Sequence, residues 1–311
     1  MKVHFNNVDF SSSSGPNTFG ARLASELQVN FGVNIVGPNS DYDIFLCFIE
    51  PNCNPRPGSK IIQRLDGIWF KPEEFKTHNR LIKLVYDNCH SVIWQSEFDK
   101  KMTEKWWGSQ KGKVISNGIK LENAKISKEL LEFRKKYNKI FVSSASWHRQ
   151  KRLKENVELF LKNSSEKDCL IVLGNTPDYK ISDSRIFYAG QKTHSECLQV
   201  YSIADWMIHL AWLDHCPNVV VEALSQDCPV ICSSSGGTKE IVKQNGFIVP
   251  EVKKYNFELL DYDNPFEIEI PKLNLNNKIN VDNKHLCINK TASLYFKEFI
   301  DILEEKCRIK K

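Results

Sequence analysis

Short apolar runs alternate along the chain with segments whose apolar residues recur every three or four positions. This is the pattern of a parallel sheet with crossover helices. KVHFNN (2–7) reads as a first strand, and NIV (34–36), IFLCF (44–48), KIIQRL (60–65), SVIW (91–94) and KVIS (113–116) follow as strands. Ser11 to Gly15 is a small-residue turn, and Pro16 suits a first helical position. Phe19, Leu23, Leu27 and Phe31 then fall every four residues and form one helix face. Helical patterns fill 72–87 and 97–107. The charged, weakly helical segment 120–139 reads as a linker.

The alternation restarts with IFVSSAS (140–146), a helix near 153–163, CLIVLG (169–174), IFYAG (186–190) and a helix at 194–203. WMIHLA (206–211), a helix at 217–226 and VICSSS (230–235) complete a second doubly wound unit. From Pro250 to Lys284 the pattern dissolves into Asn, Asp and Lys, the composition of a loop. Ala292, Tyr295, Phe296, Phe299 and Leu303 give a terminal helix one apolar stripe.

Length agrees with two domains, since 311 residues exceed one usual core of about 150. The expected division is 1–122, joined by a terminal helix at 290–306, and 123–289. Hydrophobic residues at 41% and charged residues at 26% exclude disorder as the main state. A net charge of +5 suits an anionic substrate and falls short of a nucleic-acid-binding signature. The ten cysteines form no CxxC pair, and several lie in apolar runs, so they read as reduced, mostly buried thiols. MKVHFNNVDF lacks the apolar core of a signal peptide, and no run approaches the roughly 20 apolar residues of a membrane span. The expected location is cytoplasmic.

In open α/β sheets ligands bind beyond the carboxyl ends of the strands, where helix N-termini present N–H groups. One such place is SSSSGPNTFGARLASEL (11–27), where Gly15 and Pro16 enter a helix; it is neither GxGxxG nor a P-loop. A second is WLDHCPNVVVEALSQDCPVICSSSGGTKEIV (212–242). Asp214 lies in its loop, Pro217 starts a helix, and Glu222 falls inside that helix. VVVEAL is otherwise apolar, and a carboxylate there is costly without polar partners, for which sugar hydroxyls are suitable. His215, Cys216, Pro217, Asn218 and Val219 would place backbone amides beside it. Gly236 and Gly237 after the next strand would allow a close backbone approach.

At these residues the chain resembles the retaining glycosyltransferase family 4, with its GT-B fold. Asp214, Glu222-Ala223, Pro229-Val230 and Gly236 to Val242 match the family's block in order and spacing, with Asp at the first position where Glu is usual. NGFIVP (245–250), SWHRQKRL (146–153), GPNTFGARLASEL (15–27) and SNGIK (116–120) extend the resemblance to about two thirds of the chain. The family's arginine falls on Ser146, and Arg149 stands nearby to supply the charge. The resemblance implies two Rossmann-like domains facing across a cleft, with the terminal helix returning to the first. It implies a nucleotide-diphosphate sugar as donor, transfer of a hexose with retention to a hydroxyl of a glycan or other acceptor, and neither cofactor nor metal. Glu222 would bind the ribose, Asp214 the sugar hydroxyls, and Arg149 and Lys151 the departing diphosphate. Arg64, Asp66 and Gly67 would lie on the acceptor side, where relatives carry His-Asp and this chain has Leu65-Asp66.

The DYD tripeptides at 41–43 and 261–263 read as polar turns, and HSE (194–196) as a helix start. Phe98, Met102 and Trp106 beside Lys100, Lys101 and Lys105 read as a core-facing stripe with a solvated basic face. Weak peripheral membrane contact is the alternative for that helix. For the whole chain the alternatives are a non-catalytic sugar-nucleotide binding subunit and a GT-B sugar-nucleotide epimerase.

Overall fold

The computed structural model describes residues 1–308 apart from 13, 178, 179 and 278, without the side chains of 306–308. Of the expected features, Ser13 of the small-residue turn and the Cys307 thiol lie outside that description. The chain divides into two compact units.

Unit 1 comprises residues 1–120, 257–261 and 285 onward. Its strands are β1 (Lys2–Asn6), β2 (Asn34–Ile35), β3 (Ile44–Phe48), β4 (Lys60–Leu65), β5 (Ser91–Trp94) and β6 (Gly112–Val114). All are parallel, in the order β2-β1-β3-β4-β5-β6. IFLCF of β3 is buried throughout, because helices cover both faces of a parallel sheet. The helix α1 (Gly15–Phe31) buries Phe19, Leu23 and Leu27 and ends at Gly32, whose φ of +63° closes the last turn.

The helical pattern at 72–87 resolves into α2 (Phe75–His78) and α3 (Arg80–Asn88). They part at buried Asn79, whose amide bonds to Trp69 N–H, Trp69 C=O and Phe75 C=O and so competes with the helical ladder. In α4 (Glu97–Trp107), Ser96 caps the N-terminus by accepting from Asp99 N–H. Its Phe98 and Met102 are buried, and Trp106 donates its indole N–H to Phe257 C=O at 2.9 Å. The apolar stripe of this helix is therefore turned inward.

Unit 2 comprises residues 121–256 and 262–284. Its elements are α5 (Lys128–Arg134), β7 (Ile140–Ala145), α6 (Leu153–Asn163), β8 (Cys169–Gly174), β9 (Ile186–Gly190), α7 (His194–Ile203), β10 (Trp206–His209), α8 (Asn218–Ser225), β11 (Val230–Ser233), α9 (Thr238–Val242) and β12 (Gly246–Val249). The sheet is parallel in the order β12-β11-β10-β7-β8-β9, the Rossmann order. Strands β10 and β11 stop at His209 and Ser233, short of the expected 211 and 235, because the residues beyond leave the sheet to build loops. The segments α9 and β12 were not expected from the pattern as separate elements.

Residues 250–283 contain no helix or strand among those described, as their composition implies, yet they are not a solvated loop. Ile268, Ile270, Leu273, Leu275 and Ile279 pack on the core of Phe141, Val157 and Phe160. Asn163 pins the segment, donating to Pro271 C=O and accepting from Leu273 N–H.

The terminal helix α10 (Ile288–Arg308) belongs to unit 1. Ala292, Tyr295, Phe299 and Ile302 join Phe19, Leu23 and Leu27 of α1 in one core. Among the described residues, no helix is long and apolar enough to cross a membrane.

Candidate functional site

The order of the second sheet places its switch point between β7 and β10, where successive connections run in opposite directions and leave a crevice at the carboxyl ends. The chain leaves β7 through Ser146 and a 3₁₀ turn, Arg149–Lys151, and leaves β10 through residues 210–217. Trp212 N–H donates to Gln150 C=O at 2.7 Å and ties the two loops together. Buried Asn156 stitches the same split: its amide donates to Ser143 Oγ and its oxygen accepts from Leu210 N–H.

Across this split Lys151 Nζ reaches Asp214 Oδ2 at 2.5 Å, and His209 Nε2 lies 3.1 Å from the same oxygen. Burial alone would raise the Asp214 carboxyl. The Lys151 charge and the hydrogen bond and charge of His209 outweigh it, holding the group far below the usual carboxylate range. Asp214 is thus a fixed anion, and since a carboxylate only accepts, His209 Nε2 donates.

The 214 loop is shaped by a backbone contact. Gly236 has φ +69°, and a Cβ there would stand 2.3 Å from Asp214 C=O. Gly237 N–H donates to that same carbonyl at 2.8 Å. At Gly236, then, the close approach that the glycine pair was expected to offer a ligand is taken by the backbone of Leu213 and Asp214. Ser235 Oγ accepts from Leu213 N–H and completes the brace.

Helix α8 follows with Pro217 as its N-cap, whose carbonyl accepts from Val220 N–H and Val221 N–H. Cys216 and Pro217 are buried, whereas His215, Asn218 and Val219 are half-buried. Glu222 on this helix is buried, and its Oε1 lies 3.3 Å from Nε2 of His194, the first residue of α7. The HSE segment is indeed a helix start, with a capping box between Thr193 and Glu196, but it also brings an imidazole to Glu222. Burial, then the charge of Glu222, pushes the Cys197 thiol up to about 11 and the Tyr201 hydroxyl well above its usual value.

The three basic residues of the turn separate. Lys151 meets Asp214, whereas exposed Arg149 donates to Asn264 Oδ1 at 3.0 Å. It lines a cavity of about 480 Å³ with Trp147, His148, Lys154 and Asp263. Arg152 is fully buried and grips both oxygens of Glu251 as well as the carbonyls of Leu210 and Phe266.

In unit 1, Arg64 exposes no surface. Its guanidinium bonds Asp66 and Asn117 and lies over the rings of Phe19 and Phe48, with centroids at 4.6 and 4.8 Å. That enclosure corrects the expectation that Arg64 faces a ligand: it holds Asp66, which remains partly exposed, with Gly67 at φ +116° beyond. Gly15 and Pro16 open α1 beside Ser14, its N-cap. The DYD expected as a polar turn at 41–43 instead leads into β3 with Tyr42 buried, Asp41 pairing with Arg56 and Asp43 accepting from Lys2 N–H. Among the described residues, no three His, Cys, Asp or Glu side chains gather in a group that could hold a metal.

Sequence reasoning missed His209 and the contact of His194. The first carried a signal: a histidine inside the apolar run WMIHLA has the same oddity as the glutamate in VVVEAL. The second had none, because residues 194 and 222 meet only through the packing of α7 on α8.

Residues 123–258 match the model of the glycosyl transferases group 1 family. Among proteins with curated descriptions, none matches the sequence. Solved structures resemble the whole chain. A glycosyltransferase from Rickettsia africae aligns at TM-score 0.67 and 16% identity, over 97% of this chain and 98% of that one. Sucrose-phosphate synthase from Thermosynechococcus elongatus aligns at 0.64 and 13%, over 99% and 98%. HepE from Anabaena, solved with UDP and glucose, aligns at 0.61 and 15%, over 99% of each chain. The chain thus has the GT-B fold, and its residues 123–258 are similar to the glycosyl transferases group 1 family.

Proposed function

We propose that the protein is a retaining family 4 glycosyltransferase that moves a hexose from a nucleotide-diphosphate sugar to a hydroxyl of a glycan or other acceptor, without a metal, in the cytoplasm. The observation that carries this reading is the Lys151–Asp214 pair at the β7/β10 switch point, immediately before the first turn of α8. Asp214, ionised and held by His209, accepts hydrogen bonds from hydroxyls of the transferred sugar. Lys151 shares its charge with the diphosphate as negative charge gathers on the leaving group, which is electrostatic stabilisation of the transition state. Arg149 supplies a second cation, and the first-turn amides of α8 with Cys216 support the bound sugar. Glu222 takes the ribose hydroxyls in exchange for His194. A nucleotide donor is in keeping with the relative solved with UDP-glucose.

A second reading, a non-catalytic sugar-nucleotide binding subunit, is favoured by exposed Ser146 standing where the resemblance places an arginine. Turnover of a labelled donor panel, with and without acceptors, separates the two. Release of free sugar or product supports transfer, whereas tight nucleotide binding with no turnover of any donor supports the binding subunit. Nuclear magnetic resonance of the first-formed anomer tests retention.

A further inference from the structure

Unit 1 has its own switch point, between β1 and β3. There His4 and Asn6, on one face of β1, meet Cys53 in the loop after β3. The hydrogen-bond partners settle where each proton lies. Asn6 Oδ1 accepts from Asn52 N–H at 3.2 Å, and a backbone N–H can only donate, so the Asn6 NH₂ is the group facing Cys53 Sγ at 3.1 Å. The sulfur is therefore an acceptor from Asn6. On its other side stands His4 Nε2 at 3.9 Å. His4 Nδ1 lies 3.0 Å from Val36 C=O, which only accepts, so Nδ1 carries a ring proton, and in the tautomer with that proton alone the Nε2 lone pair faces the thiol. His4 and Asn6 are both more than nine-tenths buried, and the imidazole is stacked on Tyr42. Cys53 is partly exposed between exposed Asn52 and Asn54.

We propose that Cys53 is a reactive thiol, with His4 as its base and Asn6 as the donor that stabilises its thiolate, and that it forms a mixed disulfide with low-molecular-weight disulfides. The Cys53 proton passes to His4 Nε2. The thiolate attacks one sulfur of the disulfide, that S–S bond breaks as the new one forms, and the departing thiolate takes the proton from His4. No other oxidant is needed.

Neighbouring cysteines supply internal controls. Cys89 is likewise partly exposed, but its S–H is directed to Tyr86 C=O and burial pushes the thiol up to about 12. Cys47 is fully buried.

The test is limiting dithiobis(nitrobenzoate) and, separately, uncharged iodoacetamide on the full chain, with adducts mapped by peptide mass. Cys53 should react first with both reagents, at least about tenfold faster than Cys89. Cys53→Ser should abolish the fast phase. His4→Gln with an unchanged thermal midpoint should slow it about tenfold. First adducts on another cysteine, a fast phase confined to the charged disulfide reagent, or an undiminished rate in a folded His4→Gln protein would each overturn the proposal. The wild-type order with the two reagents decides the matter even where the histidine variant fails to fold.

Discussion

Lys151 and Asp214 come from loops 63 residues apart and close across the split of the second sheet, Nζ to Oδ2 at 2.5 Å. The pair carries a stability consequence that needs no substrate. Asp214 sits lower in the folded chain than the ordinary aspartate value of about 3.9. Its contribution is therefore whole above that pH and drains away as pH falls toward the folded value.

Lys151→Met should destabilise the protein at neutral pH by about 1.5–3 kcal/mol, the worth of a hydrogen bond between charged groups. The two side chains are only 19% and 12% exposed, so solvent screens little of it. Urea midpoints of the two proteins should differ by a constant amount from about pH 8 to about pH 5, and the gap should begin to narrow below about pH 4 and go on narrowing as the pH falls further. A gap that widens with acid would show that the pair is not what lowers Asp214.

Glu222→Gln keeps the shape of the side chain and removes its charge. Under the proposed function it should weaken nucleoside diphosphate binding about ten- to a hundredfold, the equivalent of one charge-assisted hydrogen bond. Lys151→Ala should instead act mainly on turnover. Calorimetric titration with UDP, GDP and ADP checks the first, and kcat against KM the second. Unchanged affinity of the Glu222 variant for every nucleotide would remove the ribose assignment.

Most of the fold was legible because parallel strands buried on both faces read as short apolar runs. IFLCF, KIIQRL and CLIVLG carry their boundaries in the sequence. The short elements were not legible: α9 has five residues, and β12 was visible only as part of NGFIVP. Asn79 broke a helix whose periodicity runs through it, since side-chain capture of backbone groups leaves no trace in apolar spacing. In the site, Asp214, Lys151 and Glu222 could be picked out by motif. The pairing of the first two could not, because it depends on which strands are neighbours rather than which are consecutive. Burial of Arg64 was hidden for a related reason: its enclosure by Phe19 and Phe48 is assembled from α1 and β3.

Arg152, next in sequence to Lys151, belongs to the frame rather than the charge of the site. It binds both oxygens of Glu251 at 2.6 and 2.9 Å and two carbonyls besides, while exposing almost nothing. Arg152→Met would leave the Glu251 carboxylate buried without its partner and should cost about 3–5 kcal/mol. Arg152→Lys should recover only part of this, because a single ammonium cannot reproduce the planar fork. Chemical denaturation of the two variants checks the order. A lysine variant as stable as wild type would show that charge alone, without the fork, suffices.

Gly236→Ala tests the shape of the 214 loop without touching a charge. The residue has φ +69°, where an L side chain is strained by about 1–2 kcal/mol, and its Cβ would stand 2.3 Å from Asp214 C=O and 2.8 Å from Asp214 N. Those are backbone atoms and cannot swing aside as a flexible side chain would, so the 214 loop must move. Two effects should then appear together: a loss of stability of about 2–4 kcal/mol, and a partial return of Asp214 toward the ordinary aspartate range as Lys151 and His209 lose their alignment. Nuclear magnetic resonance titration of the Asp214 carboxyl alongside thermal unfolding reads both. A variant that loses stability while Asp214 titrates as in wild type would mean that the strain is absorbed at the Gly236 side, leaving the pair at the switch point intact.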